Sequence, residues 1–206
     1  MNAVNPGLRW WLRRDSGPAG QSAAQASWDS WRAPHRREIL ETLDLLAPFD
    51  SLYEVGCQAG PNLRLIQNSH PGVRLGGSEP CPMAASWAFQ QLGCRIDATA
   101  LPDMAPGAEA DIVLSCYTLA YLAPDEIGAA LRNMAAAARR AIILLEPMAW
   151  GGFAACQCRA EPLVEWRHQY HELIADIGWR IAWAWPIMAP VQNANAILIA
   201  TAEHRT

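Results

Sequence analysis

Glu54, Gly56 and Gly60 stand in the order acidic-x-Gly-x-x-x-Gly within the stretch LYEVGCQAG. Glycine lets a backbone approach a ligand closely, and a helix that follows such a turn offers unpaired amides in its first turn. A carboxylate two residues before the first glycine is placed to meet a cationic amino group. Two phosphate chemistries are excluded by the same residues: Gln58 stands where Gly-x-Gly-x-x-Gly needs its second glycine, and no Gly-Lys-Ser/Thr follows. Further on, Glu79 comes nineteen residues after Gly60, Asp97 closes the run RID, and Ser115, Cys116 and Tyr117 close DIVLSCY. Each is a polar group at the end of a short apolar run, where an open α/β sheet binds its ligands.

The elements that must position these residues follow from periodicity. Residues 1 to about 20 are rich in Pro, Gly and Ser and show no sustained period, so they are expected to form an arm or a loosely packed cap. From Ala23 to Leu46 the apolar spacing is helical, with Pro34 separating two helices. Strands are predicted over Ser51 to Val55, Val73 to Gly77, Cys94 to Asp97, Asp111 to Cys116, Ala141 to Glu146, Arg180 to Trp185 and Ala196 to Thr201. Helices are predicted from Pro61, over Pro82 to Leu92, over Asp125 to Arg139 and over Glu161 to Ile177. The alternation implies an α/β fold, a doubly wound and mostly parallel seven-stranded sheet with helices on both faces. Only a loop joins the final two strands, so they are expected to pair antiparallel, one inserted at the edge.

From Leu52 to Ala202 the chain resembles the class I S-adenosylmethionine-dependent methyltransferases, of Rossmann-like fold. The motifs that carry the resemblance are EVGCQAG, LGGSEPCPMAASWA, RIDATALP and ADIVLSCYTLAYL, in that order and one βα unit apart. It implies S-adenosyl-L-methionine as cofactor. Glu54, Gly56, Cys57, Gln58, Gly60 and Asn62 would then surround its methionine part. Glu79, followed by Pro80, would grip the ribose hydroxyls, Asp97 and Ala98 would contact the adenine, and Ser115 and Cys116 would lie beside the transferable methyl. Gln58 is a departure, because the family usually has glycine there; at positive φ a glutamine is strained by about 1 kcal/mol.

Methyl transfer is an in-line displacement with an activated leaving group, so alignment is the protein's main task and a general base is optional. The candidates for a base are Tyr117, Tyr121, His168 and His171. The chain has ten tryptophans, and Trp10, Trp11, Trp28, Trp31, Trp150 and Trp166 flank the motifs where the resembled family builds its acceptor lid. Their faces suit a flat or cationic acceptor; Trp179, Trp183 and Trp185 read better as core residues of an alternating strand.

Composition narrows the rest. With 206 residues, 51% of them apolar, the chain suits one buried core, organised as an arm and helical cap over 1–47 and a cofactor-binding domain over 48–206. All sixteen basic residues are arginine, which removes Schiff-base chemistry and a phosphate-loop lysine. A net charge of −4 gives no field for a polynucleotide, and no run of eighteen apolar residues or signal segment is visible, so the expected location is the cytoplasm. The six cysteines read as buried thiols, and no metal site is expected. The expected partner is a small or medium-sized, aromatic acceptor, with a homodimer or partner subunit left open. The competing reading is a non-catalytic binding or partner subunit that keeps the fold.

Overall fold

A computed structural model describes residues 6–14, 17–101, 109–149, 156–159, 164–187 and 195–202. The helices are α1 (Pro6–Arg14), α2 (Gly17–Asp29), α3 (Arg37–Leu46), α4 (Pro61–Ser69), α5 (Pro82–Leu92), α6 (Ile127–Ala137) and α7 (Tyr170–Asp176). The strands are β1 (Ser51–Val55), β2 (Arg74–Ser78), β3 (Arg95–Asp97), β4 (Ala110–Cys116), β5 (Ala138–Pro147), β6 (Cys156–Arg159), β7 (Glu165–Arg167), β8 (Trp179–Ile187) and β9 (Asn195–Ala202).

Seven strands form one sheet in the order β3-β2-β1-β4-β5-β9-β8, parallel except for β9, which runs antiparallel to both of its neighbours. The pleat of the central strands sends successive side chains to opposite faces. Leu52, Ile112, Leu114 and Ile143 pack on one face with Ile39 and Leu43 of α3 and Leu63 and Ile66 of α4. Val55, Val113, Ile142 and Leu144 pack on the other with Leu131 and Met134 of α6 and Ile174 of α7. Two buried faces are what makes these strands read as near-continuous apolar runs. Each fully buried Leu or Ile stabilises the fold by about 1.5–3 kcal/mol. Strand order reverses between β1 and β4, so the carboxyl ends of those two strands frame the crevice.

Three sequence expectations are corrected. Where no sustained period was expected, residues 6–14 and 17–20 are helical: Pro6 opens α1 and Gly17-Pro18 opens α2, because proline is tolerated in a first helical turn that has no intrahelical donor to lose. Of the helix expected over Glu161 to Ile177, residues 161–163 lie outside the described residues, and the helix among the rest is Tyr170–Asp176. The chain before it forms β7, which pairs antiparallel with β6 in a separate ribbon. Finally, Trp179, Trp183 and Trp185 do not share a buried face. An irregularity between Ile181 and Trp183 breaks the alternation, leaving Trp179 buried and Trp183 61% exposed.

Candidate functional site

The β1 turn is built on left-handed backbone. Gly56 has φ +66°, and a Cβ placed there would lie 2.4 Å from the Thr118 side chain, so only glycine fits. Gln58 also has positive φ, at +48°. Its strain is offset by two bonds. Its N–H donates to Glu79 Oε2 at 2.9 Å, and its side-chain carbonyl accepts from Ser27 Oγ at 2.5 Å. The side chain that departs from glycine thus ties the turn to α2. The Cys57 N–H donates to Ser78 O at 2.9 Å, while its side chain is buried in the core.

Beneath the turn, Glu54 is 1% exposed. Burial pushes its carboxyl up to about 8; the Asn62 amide and the Arg36 charge oppose that shift, and Glu79 adds to it. Asn62 Nδ2 donates to Glu54 Oε1, and Arg36 donates to Asn62 Oδ1, so a relay runs from the cap to the end of β1. Glu54 Oε2 is buried and has no partner among the described residues. An unpaired buried acceptor is costly and calls for a donor. Glu79 is held beside it, accepting the Gln58 N–H and, at 2.9 Å, the Cys81 N–H at the entrance to α5. Pro80, between them, is half-buried.

Asp97 is placed differently. Its Oδ2 accepts from Tyr53 Oη at 2.9 Å and its Oδ1 from Arg95 Nε at 2.8 Å. Tyr53 belongs to the core face shared by Val55, opposite Leu52. The structure therefore brings Glu54 and Glu79 together and ties the Asp97 carboxylate elsewhere. What reaches the pair is Asp97's carbonyl, which accepts the Glu79 N–H at 2.9 Å. Ala98 follows, exposed.

At the end of β4, Ser115 is buried and donates to Glu146 Oε1 at 2.7 Å. Glu146 also accepts the N–H groups of Thr118, Leu119 and Ala120, at 2.9, 3.1 and 3.2 Å. Burial pushes its carboxyl up to about 7, against the pull of these four donors. It fixes the turn that carries Tyr117 and Tyr121. Sequence reasoning missed Glu146, although a single acidic residue ending the apolar run AIILLEP was a usable signal. It also missed Arg36. Burial raises the Cys116 thiol well above its ordinary range, so it stays protonated.

Tyr117 has φ +54° and meets the His35 ring edge-on, with centroids 5.8 Å apart. Tyr121 meets Trp11 with centroids 5.5 Å apart, and Arg14 lies over Trp10 and Trp11. Trp28 and Trp31 flank the Arg64 guanidinium of α4 at 4.5 and 4.8 Å. The N-terminal tryptophans therefore join the cap to α4 and to the β4 turn. His168 is fully buried, its Nε2 3.0 Å from Leu122 O, and is not on the helix expected for it. His171 stands half-exposed on α7, 3.7 Å from Glu172. Trp166 is half-buried in β7, while Trp150 lies outside the described residues.

Solved structures share this fold. Magnesium protoporphyrin IX methyltransferase from Synechocystis PCC 6803, solved with bound S-adenosylmethionine, superposes with a TM-score of 0.61 at 16% identity over 98% of this chain and 100% of that one. The fold is that of the class I methyltransferases. A Burkholderia thailandensis 1,6-didemethyltoxoflavin-N1-methyltransferase shares it at TM-score 0.67 and 14% identity, over 91% of this chain and 92% of that one. The mitomycin 7-O-methyltransferase MmcR does so at TM-score 0.60 and 18% identity over 75% of this chain, which spans 49% of that protein's length. No family model and no curated protein matches the sequence. Among the described residues no helix of this methyltransferase fold is long and apolar enough to cross a membrane.

Proposed function

We propose that the chain is an S-adenosylmethionine-dependent methyltransferase acting on a small or medium-sized aromatic acceptor. The observation that carries this reading is Glu54 Oε2, a buried carboxyl oxygen with no partner among the described residues, beside a glycine turn and a second carboxylate at the switch point. The residues fit the cofactor: an ammonium group would satisfy Glu54, and Glu79, already oriented by two backbone N–H groups, would accept from ribose hydroxyls. When bound, S-adenosylmethionine supplies an activated methyl group on a sulfonium.

The chain's own residues supply the alignment. Gly56 allows the turn to lie against Thr118, the Asn62–Arg36 relay orients Glu54, and Glu146 fixes the turn beside the reacting centre. Tyr117 and Tyr121, with Trp11 from the cap, form the aromatic wall for the acceptor. In this reading residues 1–47 are the acceptor-side cap and 48–206 the cofactor-binding domain, working in the cytoplasm.

The buried carboxyl yields a direct test. With a free-state value of about 8, Glu54 carries its proton at pH 6.5. An ammonium partner favours the ionised form, so binding must expel that proton. Titration calorimetry with S-adenosylmethionine at pH 6.5, in buffers of different ionisation enthalpy, is expected to show release of about one proton by the unmodified chain and none by Glu54→Gln. Equal proton counts in the two proteins would remove Glu54 from the methionine end of the site.

A further inference from the structure

We propose that His35 takes the proton from the methyl acceptor, and that this acceptor presents a hydroxyl group on an aromatic ring. The inference rests on the methyltransferase reading above and adds the acceptor chemistry to it. His35 lies in the 3-10 turn Pro34–Arg36, where Pro34 fixes the backbone at the first residue. Arg36 anchors the other end, donating to Ser30 O at 3.0 Å, to Ser30 Oγ at 2.9 Å and to Asn62 Oδ1. Because Asn62 donates in turn to Glu54, the turn that carries His35 is tied through Arg36 to the β1 end of the crevice.

On its other side the ring stands at 87° to that of Tyr117, the residue that follows β4. Tyr117 holds a left-handed φ of +54°, and such strain in a non-glycine residue clusters at functional sites. Among the described residues neither nitrogen of His35 has a hydrogen-bond partner. The other histidines considered are engaged or displaced. His168 is buried on Leu122 O, and His171 faces solvent on α7 beside Glu172. The Tyr117 ring beside His35 suits a planar acceptor.

The state of the imidazole fits an oxygen acceptor. Burial, with the neighbouring Arg36 charge, pushes His35 down to about 4, so the ring is neutral and able to accept at neutral pH. A base this weak cannot relieve a methylated alkylamine, which holds its proton up to about pH 10. It does relieve a hydroxyl, whose oxygen becomes strongly acidic as the methyl arrives. In the step, an oxygen lone pair forms the O–CH₃ bond while the C–S bond breaks and its electrons stay on sulfur. The hydroxyl proton passes to a His35 ring nitrogen and then to water.

The test pairs phenols (catechol, naphthol, hydroxyquinoline) with alkylamines on the same rings (benzylamine, naphthylmethylamine, aminomethylquinoline), using methyl-labelled S-adenosylmethionine and the chain with or without His35→Ala. Calorimetry with S-adenosylhomocysteine runs alongside. The unmodified chain is expected to label at least one phenol and no amine. The variant should lose about 100-fold in rate, keep its S-adenosylhomocysteine affinity and regain part of its rate in free imidazole. Labelled amines, no labelled phenol despite cofactor binding, undiminished turnover in the variant or absence of imidazole rescue would overturn the proposal. If the unmodified chain binds no S-adenosylhomocysteine, the methyltransferase reading fails first.

Discussion

Glu79→Ala is expected to weaken S-adenosylmethionine binding at least tenfold in calorimetric titration. A hydrogen bond to a charged group contributes about 1.5–3 kcal/mol, which corresponds to roughly 10- to 150-fold in affinity. Two effects act together. The variant loses the acceptor proposed for the ribose, and it releases the Gln58 N–H and the Cys81 N–H, which Glu79 holds at 2.9 Å each. Gln58 is the sensitive point, since its φ of +48° is sustained partly by that bond. Glu79→Gln, which retains one acceptor oxygen, should fall between. An affinity indifferent to both changes would mean that the ribose lies elsewhere.

The second large effect concerns folding. Gly56→Ala places a methyl 2.4 Å from Thr118 at a backbone φ of +66°. Left-handed geometry costs an alanine about 1–2 kcal/mol, and overpacking adds about 1–3 kcal/mol. A fall in Tm of about 5–15 °C is expected for a domain of this size. Gly93→Ala separates the two contributions, because Gly93 has the same φ of +66° with nothing within 4 Å of the added Cβ. It should show only the smaller, conformational loss. Equal melting shifts in the two variants would show that Thr118 moves aside freely, and the close approach between the β1 and β4 turns would then be dispensable.

The strand ends were legible because their signal is local. A buried parallel strand is an apolar run, and a polar residue closing it stands out, as Glu54, Glu79 and Ser115 do. What could not be read was which neighbour each polar group faces. Asp97 matches the expected spacing, yet the pleat and Tyr53 draw its carboxylate to the other side of β1. Ser115 directs its hydroxyl to Glu146, thirty-one residues away in sequence. Arg36 and His35 belong to a cap turn with no periodicity, and only tertiary packing brings them to Asn62 and Tyr117. The bulge in β8 and the β6–β7 ribbon escaped for the same reason, since hydrogen-bond register leaves little trace in composition.

The decisive observation is where an adenosyl ligand sits. A crystal structure of the chain with S-adenosylhomocysteine should place the ligand's amino nitrogen at hydrogen-bond distance from Glu54 Oε2, with the ribose hydroxyls on Glu79. A ligand bound away from those two carboxylates, or a Glu54 Oε2 still unpaired in a saturated crystal, would contradict the account.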